Sequence, residues 1–358
     1  SDHDLLLEQG FNPAIIIKEM RKTKALPALL NLRTKADDLL KKYIAQNVSM
    51  HFINQMMAGI NNALLHQIIN LNLEKTGLAP CKFAWLALGS QGREEQLLRT
   101  DQDHALVFED GSSEEENRER QSYFLNLANE VAQELERFGF EQDVADIGAN
   151  HEKWCQPLCV WKNYFTEWIR KPDEDNVLLS TIFFDFRAAF GEQTLAQEMA
   201  THLYAELEKT QIFLPILAKN AMANPAPLSF FRNFVVESSG EHKDAFDLKL
   251  RAMLPLVDAA RVLTLEAKIS NINNTTARYN LLAEGDKNNR DLLREAAEGY
   301  ATLMNLRAKF GLKHSNSGRF INPEELSKIE RQTLRNIFAS INDLQKILKI
   351  RFQLNYLR

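Results

Sequence analysis

Cysteine is scarce in this chain: three among 358 residues, Cys81, Cys155 and Cys159. An odd, sparse count excludes a disulfide framework and points to a reducing, cytoplasmic setting. Cys155 and Cys159 are spaced to meet across one helical turn, without a partner set that would make a zinc site expected. Neither sign of charge dominates. Lys and Arg number 43 against 48 Asp and Glu, so a net charge of −5 gives no global basic signature for nucleic acid. No apolar run approaches the roughly 20 residues that span a bilayer. The N-terminus, SDHDLLLEQG, is acidic and polar, unlike a secretory leader. It also lacks an initiator Met, which suits a processed chain or an excised fragment. Internal repeats and low-complexity linkers are missing too. What remains is the composition of an ordinary globular protein, long enough for two or three domains of about 100–200 residues each.

The first eighty residues have helical period. Asn12 precedes Pro13 as an N-cap, and Ser49 caps a long amphipathic run that stops at Gly77. The methionines of that run are expected in the core. Then the period changes. KFAWLAL and HALVF are short apolar runs bounded by turn residues, as buried strands are. EDGSSEEENRER reads as a solvated loop feeding a helix, which closes at Gly139, and FEQDVADI reads as a third strand. Trp154, Trp161 and Trp168 recur every seven residues, and core packing is the expectation. From about residue 210 nearly everything is helical. Leu334, Ile337, Ile341, Leu344 and Leu348 make one stripe, as in an antiparallel bundle. That last segment is basic, and a solvated face is the expectation over a phosphate-bearing partner.

The chemistry concentrates in GSQGREEQLLRTDQDHALVF, Gly89 to Phe108. Asp101 and Asp103 are two apart at the entry of an extended run, so they point to one side. Two carboxylates on one side repel unless a cation sits between them, and their hard oxygens suit Mg²⁺ or Mn²⁺. Upstream, Gly89 and Gly92 let backbone approach an anion closely, Ser90 adds a hydroxyl, and Arg93 adds a charged fork. The layout is a phosphate cradle, a short helix and a metal-binding strand.

This segment resembles the signature of the DNA polymerase β-like nucleotidyltransferase superfamily. It is similar, more narrowly, to a bacterial family related to the uridylyltransferase that modifies the PII protein. The shared pattern is carried by Gly89, Ser90, Gly92, Arg93, Glu95, Asp101 and Asp103. LLSTIFFDFRAAFGEQTL resembles that family's Asp-x-Arg segment, giving Asp185 and Arg187, and the C-terminal helices resemble its helical domain. The resemblance implies an α+β fold: an N-terminal helical segment over 1–78, a small mixed-sheet nucleotidyltransferase domain over 79–208, and a C-terminal helical bundle over 209–358. It implies catalytic roles for Asp101, Asp103 and Asp185, nucleotide contacts from Gly89, Ser90, Gly92, Arg93 and Arg187, and metal ligation by Asp101 and Asp103. A third carboxylate is expected from Asp143, Asp146 or Asp185, with Asp146 taken as the strand-borne metal ligand. Glu95 is expected to be structural, paired with an Arg such as Arg99 or Arg187.

The function implied is Mg²⁺-dependent transfer of a nucleotidyl group from ATP or UTP to an acceptor hydroxyl, first of all on a protein, in regulatory signalling. Relatives carry cyclic-nucleotide-binding and CBS modules upstream. A homodimer stays open, and no membrane partner is expected. A non-catalytic nucleotide sensor is the leading alternative. Transfer to a nucleic-acid 3′ end is disfavoured by the acidic balance, and antibiotic nucleotidylation has no support in this family match.

Overall fold

The structure, a computed structural model, describes residues 12–141, 147–223, 236–237 and 239–356. Its contacts divide the chain into two compact units, Ser1–Thr166 with Ile182–Leu203, and Glu167–Thr181 with Tyr204–Arg358.

The first unit begins with α1 (Pro13–Lys22), α2 (Leu26–Ala45) and α3 (Met50–Thr76). The caps are those the sequence predicts. Asn12 Oδ1 accepts from Ala14 N at 2.9 Å, Ser49 Oγ accepts from Phe52 N at 3.4 Å, and α3 stops at Gly77 with φ 90°. Met50, Met56 and Met57 are buried in the core. Next come β1 (Phe83–Ala87), the single turn α4 (Gly89–Gly92) and β2 (His104–Phe108). Every residue of β1 and β2 is buried, which is why both read as unbroken apolar runs rather than as alternation. The acidic stretch feeds α5 (Glu114–Arg137). Ser113 accepts from Glu116 N at 3.2 Å, and Glu114, Glu115 and Glu116 occupy the first turn, where the helix dipole favours negative charge. Gly139 closes the helix at φ 85°.

The chain continues through β3 (Cys155–Pro157), α6 (Leu158–Arg170), α7 (Glu174–Phe183), β4 (Arg187–Gly191) and α8 (Gln193–Leu207). The sheet order is β3-β2-β1-β4. β1 is antiparallel to β2 and β4, and β2 is parallel to β3. This small mixed sheet with helices around it makes the fold α+β, as expected. The third strand expected over FEQDVADI is seen only at its start: Glu141 bridges in parallel to Asp101, and residues 142–146 lie outside the described residues. Cys155 lies in β3 and Cys159 in α6, and both are free thiols, as is Cys81. Trp154, Trp161 and Trp168 are all buried. Trp161 also donates Nε1–H to Leu106 O at 3.1 Å, pinning α6 to β2. Trp161→Phe is expected to cost about 1–3 kcal/mol, because it removes a buried hydrogen bond and trims the ring. Urea unfolding checks this, and an unchanged midpoint would refute it.

The second unit holds α9 (Phe213–Ala221), β5 (Phe246–Asp247), a π-helical turn (Lys249–Met253), α10 (Leu254–Glu266), α11 (Thr275–Gly285), α12 (Arg290–His314), β6 (Phe320–Ile321) and α13 (Lys328–Arg351). β5 and β6 pair antiparallel. The stripe Leu334, Ile337, Ile341, Leu344 and Leu348 is buried along α13. Of its basic residues, Lys346 pairs with Asp343 at 2.7 Å, and Arg351 with Glu266 and Asp286 at 3.2 and 2.7 Å. Among the described residues, no helix is long and apolar enough to cross a membrane.

Candidate active site

The site is built where β1 turns into α4 beside the entry of β2. Leu88 N donates to Asp103 O at 2.9 Å, so the end of β1 is pinned to the residue just before β2. Gly89 follows with φ 50°, a region that L side chains rarely adopt. A Cβ there would lie 2.3 Å from Asp103 Oδ2. The turn backbone and the Asp103 carboxylate therefore face each other with no side chain between them. Gly92 is required for a different reason: its Cβ would meet Asp185 O at 2.2 Å and Ala87 O at 2.7 Å. Sequence reasoning places Gly92 in the anion cradle; the structure shows it buried, as a close-packing point between β1 and the segment before β4.

Along Asp101–His104 exposure alternates. Asp101 and Asp103 are partly exposed, whereas Gln102 and His104 are buried. The inward pair holds the outward pair. Ala149 N donates to His104 Nδ1 at 2.8 Å, which leaves the proton on Nε2, 3.3 Å from Gln102 Oε1. Gln102 Nε2 reaches Ala132 O and Phe140 O at 3.5 and 3.4 Å. Burial pushes the imidazole down to about 3, so it is neutral and serves as scaffold. Sequence reasoning passed over Gln102 and His104, although the period-2 alternation that exposes the aspartates also turns these two inward.

Beneath the turn lies a buried ion cluster. Arg93 Nε donates to Glu95 Oε2 at 2.9 Å, and its Nη1 donates to Asp185 Oδ2 at 3.0 Å. All three residues are buried, Asp185 completely. Glu95 is thus structural as expected, but its partner is Arg93 rather than Arg99 or Arg187. Arg99 instead pairs with Asp37 and donates to Phe138 O at 3.0 Å. Arg187, at the start of β4, donates from Nη2 to Asn62 Oδ1 at 2.9 Å and lies 3.5 Å from Gln91 O, with Glu94 Oε1 3.6 Å from its Nε. Burial lowers the Arg187 pKa and Glu94 counters it. Arg187 therefore sits at the α4 turn, its side chain a quarter exposed. Glu94 itself takes a left-handed conformation, φ 58°, which turns the chain sharply between Arg93 and Glu95.

The described residues supply two hard carboxylates, Asp101 and Asp103, with the bare backbone of Gly89 against the second of them. That donor set fits Mg²⁺ or Mn²⁺, which keeps part of its shell for water and substrate phosphates. Among the described residues no three carboxylates, histidines or cysteines converge as a metal cluster. Asp143 and Asp146 lie outside the described residues.

Residues 34–175 match the family model described as "Putative nucleotidyltransferase DUF294", and residues 211–352 match the one described as "Putative nucleotidyltransferase substrate binding domain". The first match contains the turn, the ion cluster's Arg93 and Glu95, and both aspartates. Asp185 and Arg187 fall between the two matched segments. The chain belongs to this family of nucleotidyltransferases. No curated protein matches the chain.

Proposed function

We propose that the protein transfers a nucleotidyl group from ATP or UTP, with Mg²⁺, to a hydroxyl of a protein acceptor, as a regulatory modification. The observation that carries this reading is the contact of Gly89 with Asp103. It sets turn backbone that is bare of a side chain at Gly89 directly against one of two neighbouring carboxylates, an arrangement that suits a metal-bound triphosphate. Asp101 and Asp103 are the residues that would hold Mg²⁺, whose charge neutralises the triphosphate and makes its α-phosphorus electrophilic. Gly89 and Ser90 receive the β and γ phosphates through backbone N–H groups and the Ser90 hydroxyl. Arg187 lends positive charge from beside the turn. Arg93 and Asp185 act as positioning residues, since each is engaged by the other in the buried cluster. The acceptor hydroxyl oxygen bonds to the α-phosphorus and gives up its proton to solvent, the bond from that phosphorus to the α,β-bridging oxygen breaks, and pyrophosphate leaves. The second unit, which matches a substrate-binding family model, is the candidate for holding the acceptor.

Incubation with each α-labelled NTP, Mg²⁺ and a cell extract is expected to label one protein, with pyrophosphate released in equal amount. Labelled nucleic acid would redirect the acceptor. Nucleotide binding without any pyrophosphate release would make the protein a nucleotide sensor instead.

Gly89→Val tests the turn. A branched side chain at φ 50° would drive Cβ into Asp103 Oδ2. Triphosphate affinity measured by calorimetry is expected to fall by about 10²-fold, the scale of two charge-assisted hydrogen bonds. Equal affinity in the variant would rule out a phosphate site here.

A further inference from the structure

Behind Asp101 the first unit encloses a small polar cavity. Asn61 of α3, Gln91, Gln96, Asp101, Gln102 and His104 line it, and leucines with Phe140 close the remainder. It has about 10 Å³ of room for the centre of a water-sized guest. On that measure roughly 10–15 Å³ accommodates one water molecule. Two amides on its wall are fixed in orientation. Asn61 Nδ2 donates to Gln96 O at 2.9 Å. Gln96 Nε2 donates to Asp101 O at 3.1 Å and lies 3.3 Å from Thr100 Oγ1. The oxygens of the same two amides, Asn61 Oδ1 and Gln96 Oε1, are buried and meet no donor among the described residues. Rotating either amide by half a turn does not help. It would set Asn61 Oδ1 against Gln96 O, or Gln96 Oε1 against Asp101 O, acceptor against acceptor. Two residues of the wall therefore each carry an acceptor that a donating guest would satisfy.

We propose that this cavity is the site of one structural water, which donates to Asn61 Oδ1 and Gln96 Oε1 and so reinforces the link from α3 to the backbone of Asp101 that the two amides already make. Water carries two donor hydrogens on one small atom, which matches two acceptors in the space of one molecule. An apolar guest would leave both oxygens unsatisfied. Through Gln96, whose amide already holds Asp101 O, the water ties the aspartate's backbone to the longest helix of the first unit. Asn61 and Gln96 are then positioning residues for the metal-binding carboxylate. That consequence rests on the proposed transferase reading, whereas the water site does not.

The test is a crystal structure of the full chain, from crystals grown in sodium salt and, separately, in rubidium salt. One density peak within about 2.7–3.2 Å of both oxygens is expected in each, with no anomalous rubidium signal. A dry cavity, or a rubidium peak, overturns the water. Asn61→Leu is expected to erase the peak and to weaken Mn²⁺ binding, followed by electron paramagnetic resonance without nucleotide, about tenfold, the scale of losing an outer-sphere support. Unchanged Mn²⁺ affinity in Asn61→Leu overturns the coupling to Asp101. If that variant does not fold, the density in the unsubstituted protein decides the water, and Asn61→Ser, which keeps a polar group but shortens it, decides the coupling by the same titration. Failure of the unsubstituted protein to bind Mn²⁺ would count against the transferase reading and leave the density result standing.

Discussion

Asp101→Asn and Asp103→Asn are each expected to reduce the proposed metal-dependent nucleotidyl transfer by about 10³-fold or more, while the protein stays folded. The size follows from the several kcal/mol that a positioned metal contributes to a phosphoryl transition state, at about 1.4 kcal/mol per tenfold in rate. The fold survives because both side chains are partly exposed, and removing one of two like charges relieves repulsion. Pyrophosphate release and a thermal melt on the same samples make the check. Full turnover in both variants would remove the metal site from this turn. Loss of turnover together with collapse of the melt would mean that the pair is structural.

The buried cluster makes the second large prediction, on stability. Arg93→Leu leaves Glu95 and Asp185 buried without the cation between them. It is expected to cost about 3–5 kcal/mol, as removal of one member of a buried ion pair does. Asp185→Asn is expected to cost less, about 1–3 kcal/mol, because the amide oxygen can still accept from Arg93 and the Arg93–Glu95 pair stays intact. Urea unfolding gives both values, and the order decides. Greater loss in Asp185→Asn than in Arg93→Leu would show that charge balance is not what holds the turn. Turnover separates position from chemistry at the same residue. A fall of about 10²-fold in Asp185→Asn, with unchanged stability, would mark Asp185 as a proton acceptor instead of a support for Arg93.

Much of this protein was legible along the chain because its signals are local. Ser49 and Asn12 cap helices within three residues of themselves. The runs 83–87 and 104–108 are buried on both faces, so apolar content alone marks them as strands. Gly89, Asp101 and Asp103 stand out by residue type and spacing, and the stripe on α13 follows from helical period. β4 was not legible as a strand. It is only five residues long, and Arg187 and Phe190 are partly exposed; what makes it a strand is pairing with β1, a hundred residues earlier.

Only tertiary structure could decide what several motif residues do. Arg93 carries the charge of a phosphate ligand, and nothing local says that Asp185, 92 positions away, will take it. Gly92 looks like part of an anion loop until Asp185 O and Ala87 O close on the place of its Cβ. His104 could have been a ligand or a base, but Ala149 N–H and full burial make it a neutral strut. Local sequence determines conformation and exposes donor types, because caps, periods and turns act over a few residues. Which donor meets which acceptor is settled by contacts closed across tens of residues. That is why the roles proposed for Asp101, Asp103 and the Gly89 turn could be put forward from the sequence, and the contacts around them could not.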